Sequence, residues 1–260
     1  MKRICLIFLL LALLGTIGAD VLSPDEFAQR VFKEVNAIRQ RNGLPELLWL
    51  DDLADLALQH SRNMAWNGFF DHVDHEGLQI SQRQKLYFPE LLLAGIGENL
   101  FFIENSRKIY DPKEIALGWM NSEGHRKNLL HEEFTHTGIG VFLLEDELFT
   151  TQVFALPVLK RISELPQSFT PDQAYPLEFE YLSLEPKASF ACQLGTPDPN
   201  TRVQLDLLTY TLGSMPLEII WKDESRLILP LEFKYGRGSY TLRLGWDGYF
   251  YPDMLEFRVE

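Results

Sequence analysis

Hydrophobic periodicity changes once along this chain, near Thr137, and the change narrows what it can fold into. Before that point apolar residues recur at helical spacing; after it they alternate as strands do. Ser23-Pro24-Asp25-Glu26 opens the first predicted helix: serine caps, proline suits the first helical position, and Glu26 stands where a capping box needs an acid. Phe27, Val31, Val35 and Ile38 then share a face, and Gly43 stops the run. A second helix starts at Asp51 or Asp52, with Leu53, Ala57, His60 and Met64 on one face and Gly68 at its end. Phe69 to Gly77 is a polar loop, and residues 78–88 suit a short helix. Asp111-Pro112-Lys113-Glu114 repeats the capped start, with Ile115 and Trp119 facing one way; Ser122 then caps a short helix carrying His125 and Leu129. From Thr137, "TGIGVFLLE" and "ELFTTQVFALPV" read as two strands around the acidic turn Glu145-Asp146-Glu147. Helices followed by a hairpin predict a sheet covered by helices, an α+β arrangement.

A second unit follows. Residues 161–174 are polar and proline-bearing (Pro166, Pro171), which marks a linker between a first domain at 20–160 and a second at 175–260. Beyond it "LEFEYLSLE" alternates, and "RVQLDLLTY", "LEIIWKD", "RLILPLEFKY" and "SYTLRLGW" add strands between closely spaced turns. This is the pattern of a small all-β, Ig-like sandwich, with a half-barrel as the alternative.

Residues 1–19 join a basic start, Lys2 and Arg3, to the apolar run "ICLIFLLLALLGTIGA", the pattern of a secretory signal peptide. The run is short for a membrane span, which needs about 20 residues, and an uncleaved N-terminal anchor is the alternative reading. The expected location is secreted or periplasmic, with no integral span in the mature chain. The 24 basic and 37 acidic residues give a net charge of -13; cleavage after Ala19 removes two bases and no acid, leaving -15. A chain that acidic repels nucleic acid, so a general nucleic-acid role is excluded. Cys5 leaves with the signal, and Cys192 alone remains, expected as a small buried residue in a strand.

Four polar features of the first domain sit at element boundaries: His72 in "FFDHVDHEG", Glu98 in "GIGENLFF", the pair Ser122-Glu123, and His125 in "WMNSEGHRKNLL". Glu98 lies within strongly apolar sequence, where a surface carboxylate is out of place; it either caps and bonds backbone donors or serves a site. His60 falls on an apolar helix face and reads as a hydrogen-bonded core histidine. His131 and His136 belong to loops or the sheet edge, and His75 is an outlying candidate beside His72.

In order, "FFDHVDHEG", "GEN", "WMNSEGHRKNLL", "FTHTGIGV" and "TQVFA" resemble the bacterial branch of the CAP superfamily, the group of cysteine-rich secretory proteins, antigen 5 and pathogenesis-related 1 proteins. The resemblance covers residues 24–157 and leaves the second domain outside. It implies an α-β-α sandwich with a central antiparallel sheet and an open cleft lined by two histidines and two acids. His72 matches the first histidine and Glu98 the first glutamate. His125 matches the second histidine, thirteen residues before Gly138. Where eukaryotic members carry the other glutamate, three residues after the tryptophan, this chain has Ser122; Glu123 is adjacent but points differently from a helix start. The acid set is therefore incomplete.

Two neutral imidazoles can ligate zinc or another divalent metal, with waters or Glu98 completing the shell, and Glu98 can instead orient a histidine. No close-spaced H-E-x-x-H occurs, which argues against an ordinary zinc protease. The expectation is a secreted CAP module whose His72, Glu98, Ser122, Glu123 and His125 cleft takes a metal and a small-molecule or lipid-like ligand. The β-domain would meet cell-envelope partners. The alternative is a metal-assisted, peptidase-like hydrolase acting outside the cell, with Ser122 as a conceivable nucleophile better explained as a cap.

Overall fold

The computed structural model describes residues 22–260 except Asp172, so the leader read at residues 1–19 lies outside the described residues. Helix α1 (Pro24–Arg41) begins with the predicted capping box: Ser23 accepts from the Glu26 amide, and Glu26 accepts from the Ser23 amide at 2.9 Å. The two-residue β1 (Leu48–Trp49) leads into α2 (Asp51–Asn67), which ends at Gly68 in the left-handed conformation, φ 66°. A polar loop then reaches α3 (Ile80–Tyr87), β2 (Leu91–Glu104), α4 (Pro112–Asn121), α5 (Glu123–Leu129) and the hairpin of β3 (His136–Leu144) and β4 (Glu147–Arg161). Asp111 caps α4 by accepting from the Lys113 amide, as its sequence predicts.

Strand β4 is the hub of the sheet. It pairs antiparallel with β3 on one side and with β2 on the other, so β2 is an edge strand. Side chains alternate along it. Leu148 and Phe154 join the core made by α1 (Val31, Val35), α4 (Ile115, Trp119) and Leu129 of α5. Phe149, Val153 and Ala155 point the other way, onto α2. Helices therefore cover both faces, each burying side chains worth about 1.5–3 kcal/mol apiece. Two glycines set the second packing distance: a Cβ at Gly138 would collide with the backbone of Leu53 and Ala54, and one at Gly140 with that of Leu58. Helix α2 lies directly on the backbone of β3.

The segment "LLLAGIGENLFF", which shows no clear period, is most of the fourteen-residue strand β2. Helical cover on both faces removes the alternation that would have announced it.

The C-terminal region is β-rich, as expected. It comprises β5 (Ala174–Tyr181), β6 (Phe190–Gly195), β7 (Arg202–Gln204), β8 (Tyr210–Leu212), β9 (Ser214–Leu217), β10 (Ile220–Trp221), β11 (Arg226–Glu232), β12 (Gly238–Trp246) and β13 (Tyr249–Val259). Strand β5 pairs with the end of β4 (Leu159↔Tyr181), so β5, β11 and β10 extend the first sheet without a break. A second sheet runs β13-β12-β6-β9, and β7 and β8 form a separate ribbon. Alternate residues of both sheets, among them Leu177, Phe179, Leu229, Leu194, Leu242 and Phe257, share one core with Val158 and Leu159 of β4. Cys192 is buried in that core, where desolvation pushes its thiol up, away from reactivity. Among the described residues no helix is long and apolar enough to cross a membrane.

Candidate functional site

Four elements meet at the free edge of β2. Glu98 stands opposite Val153 in the ladder and so faces α2, while the neighbouring Asn99 faces α5. Helix α5 is fastened across the edge by amide side chains: Asn128 donates to the Glu98 carbonyl (3.0 Å) and to Asn99 Oδ1 (2.9 Å), and Asn99 donates to the His125 carbonyl (3.0 Å). The C-terminal end of α5 is held by Arg39 of α1, fully buried, whose Nη1 donates to the Leu129 and His131 carbonyls at 2.9 Å each. A cation at a helix C-terminus also suits the dipole.

The loop after α2 brings His72 to the same edge. His60 of α2 donates from Nε2 to the Asp71 carbonyl (2.9 Å), and Arg83 of α3 donates to the His72 carbonyl (3.2 Å). The Asp74 carboxylate closes the following turn by accepting from the Glu76 and Leu78 amides. With its backbone fixed, His72 donates from Nδ1 to Glu98 Oε1 at 2.9 Å. Arg83 Nη2 occupies the other carboxylate oxygen at 2.7 Å. His60 approaches the same carboxylate at 4.0 Å. The His72 and His125 rings lie edge to face with centroids 6.3 Å apart. The structure thus brings His72, Glu98 and His125 together from three separate segments.

Burial grades these groups. The Glu98 and Arg83 side chains are each 3% exposed, whereas His72 is 54% exposed. The bond to Glu98 raises the His72 pKa. Desolvation and the neighbouring His72 lower that of His125, and desolvation lowers that of His60. Both therefore favour the neutral ring; in neutral His72, with the Nδ1 proton pointing to Glu98, the lone pair falls on Nε2.

The two other residues assigned to the cleft lie elsewhere or unengaged. Ser122 occupies the N-cap position of α5, but its hydroxyl makes no cap bond. Glu123 is 75% exposed and pairs with Lys127 at 2.9 Å, along the helix surface. His75 and His131 are exposed, and His136 is buried at the start of β3 beside Thr135. His60 is buried and bonded as its helix face implies, yet it also belongs to the Glu98 network, which the sequence reading did not include. Arg83 was missed as well. Its one sequence signal is that "ISQRQKLY" has no apolar stripe, so a packed helix there must bury polar residues; Arg83 and Gln84 are those residues.

A divalent metal finds two free donors here, not three. Both Glu98 oxygens are engaged, and among the described residues no group of three or more His, Cys, Asp or Glu is placed to hold an ion. At zinc's tetrahedral angle, with Zn–N about 2.1 Å, two imidazole centroids stand about 5.3 Å apart. The observed 6.3 Å would have to close by about 1 Å. The donors suit an open two-imidazole site, formed once the rings close, whose remaining positions would fall to solvent or ligand; they do not fit a closed structural centre.

Comparison with known proteins relates the first domain to a family. The profile of the cysteine-rich secretory protein family, CAP, matches residues 32–154. The chain is 33% identical over 126 residues to the "Uncharacterized membrane protein YlbC" of Bacillus subtilis (strain 168), and 35% over 118 residues to "Uncharacterized protein YkwD" of the same organism. These matches take in 48% and 45% of this chain, but only 33% and 43% of the two relatives' own lengths. Among solved structures, an extracellular protein containing a SCP domain from Bacillus anthracis is 35% identical, with a TM-score of 0.41 over 52% of this chain and 44% of that one. The match over residues 32–154, a little under half of this chain, supports membership of the CAP superfamily for the first domain.

Proposed function

We propose that this is an extracytoplasmic binding protein whose CAP cleft takes a divalent metal between His72 and His125, together with a small or lipid-like ligand. The observation that carries the reading is the split of duties around Glu98: one oxygen fixes the His72 tautomer, the other is held by Arg83. A carboxylate so placed is suited to orient a ligand histidine. When bound, the metal would supply a positive centre for an anionic or carbonyl group of the ligand. His72 and His125 would hold it, and Glu98 and Arg83 would keep His72 in register. The binding reading is preferred to the hydrolase alternative because, among the described residues, no side-chain base is hydrogen-bonded to Ser122, and each Glu98 oxygen already accepts a hydrogen bond. The apolar leader and the family support a secreted or periplasmic location. Residues 175–260 are read as a small β-sandwich that contacts the cell envelope.

Calorimetric zinc titration tests the metal. Wild-type protein should give a saturable heat that His72→Ala and His125→Ala each abolish. Equal and negligible heats for all three would remove the metal from the proposal.

A further inference from the structure

We infer that a small cavity between α2 and α3 binds one ordered water, and that this water joins His60 and Arg83 into a device that positions His72. The cavity, of about 40 Å³, is lined by Leu56, Gln59, His60, Asn63, Asp74, Arg83 and Tyr87. It shares His60 and Arg83 with the surroundings of the Glu98 carboxylate. Its walls carry polar atoms that no protein group satisfies: Nε and Nη1 of Arg83 and Nδ1 of His60. Both residues are at least 98% buried. Leaving such groups bare costs about 1–3 kcal/mol each.

The chemistry selects the occupant. His60 donates from Nε2 to the Asp71 carbonyl, so its Nδ1 is an acceptor. Arg83 offers donors only. The Asp74 carboxylate, with Oδ1 already taken by two amides, lines the same space. A cation is repelled by the guanidinium; an anion is repelled by the carboxylate and the Nδ1 lone pair. A water satisfies both sides, accepting from Arg83 and donating to His60. Each water needs about 10–15 Å³, so the space suffices. The resulting chain runs from Asp71 through His60, water and Arg83 to Glu98 and back to His72. It ties the loop bearing His72 to the carboxylate that orients its ring. This deepens the metal-binding reading, but its first test does not depend on it.

In metal-free protein, long-range proton–nitrogen spectra should show His60 as the Nε2–H tautomer with a hydrogen-bonded Nδ1. High-resolution diffraction should show a peak within bonding distance of His60 Nδ1 and Arg83. An empty cavity, or a proton on Nδ1, overturns the inference. In the second test, His60→Leu should weaken zinc binding by about 10–100-fold, the usual effect of losing a ligand's supporting partner. His60→Gln, which keeps a donor and an acceptor, should restore most of that affinity. Wild-type affinity in His60→Leu also overturns the positioning role. Failure of wild-type protein to bind zinc would instead remove the metal reading, with the tautomer and density still deciding the water.

Discussion

Replacing Arg83 by methionine tests whether the site is held by a buried charge pair. Arg83 and Glu98 are each 3% exposed and meet at 2.7 Å. Removing one partner leaves the other charge buried without compensation, at about 3–5 kcal/mol. Arg83→Met also takes a donor from the His72 carbonyl. Urea unfolding should therefore show destabilisation in that range, with an unchanged denaturant slope. The cycle adds a sharper criterion. Arg83→Met/Glu98→Gln removes both charges, so its cost should fall well below the sum of the single variants, by about 2 kcal/mol or more for groups in direct contact. A third readout separates stability from electrostatics. Arg83 lowers the His72 pKa and Glu98 raises it. NMR titration should thus find His72 shifted up in Arg83→Met and down in Glu98→Gln. A cost under about 1 kcal/mol for Arg83→Met, or strict additivity in the cycle, would refute the buried-pair argument.

Two more outcomes follow from the fold. Burial pushes His136 down to about 4, below its ordinary value of 6.5. The unfolded chain then takes up the proton first, so stability is full above pH 6.5 and falls as pH drops toward 4, by about 3 kcal/mol at most. Urea midpoints at pH 7 and 4.5 should differ less in His136→Leu than in wild type; an equal difference would show that His136 is not the group responsible. Gly138→Ala drives a methyl into the α2 backbone and should cost about 3 kcal/mol, at the upper end for overpacking, in the same unfolding assay. A loss below about 1 kcal/mol would mean that α2 does not rest on β3 as described.

What the sequence made legible depended on whether a residue's duty was local. The caps at Ser23 and Asp111 are read within four residues of chain, and both stand as predicted. His72, Glu98 and His125 were found through a family resemblance whose motifs preserve order and spacing, and they do converge. Arg39 was invisible, and Arg83 carried only the weak signal of a helix without an apolar stripe, because their partners are carbonyls and a carboxylate supplied by distant segments. Strand β2 was obscured for a related reason, since cover on both faces erases its period. The assignment of a second acid to this cleft meets a simple physical limit. A helix start sends adjacent residues in different directions, and Glu123 follows Lys127 along the surface while His125 turns toward His72. The charge that faces Glu98 across the α2 side of β2 is Arg83, a cation. A carboxylate held on one side by a fixed buried cation is itself fixed in place, and what it offers His72 is orientation. The proposed ligand-holding role rests on that orientation, and the site should respond more to Arg83 than to Glu123.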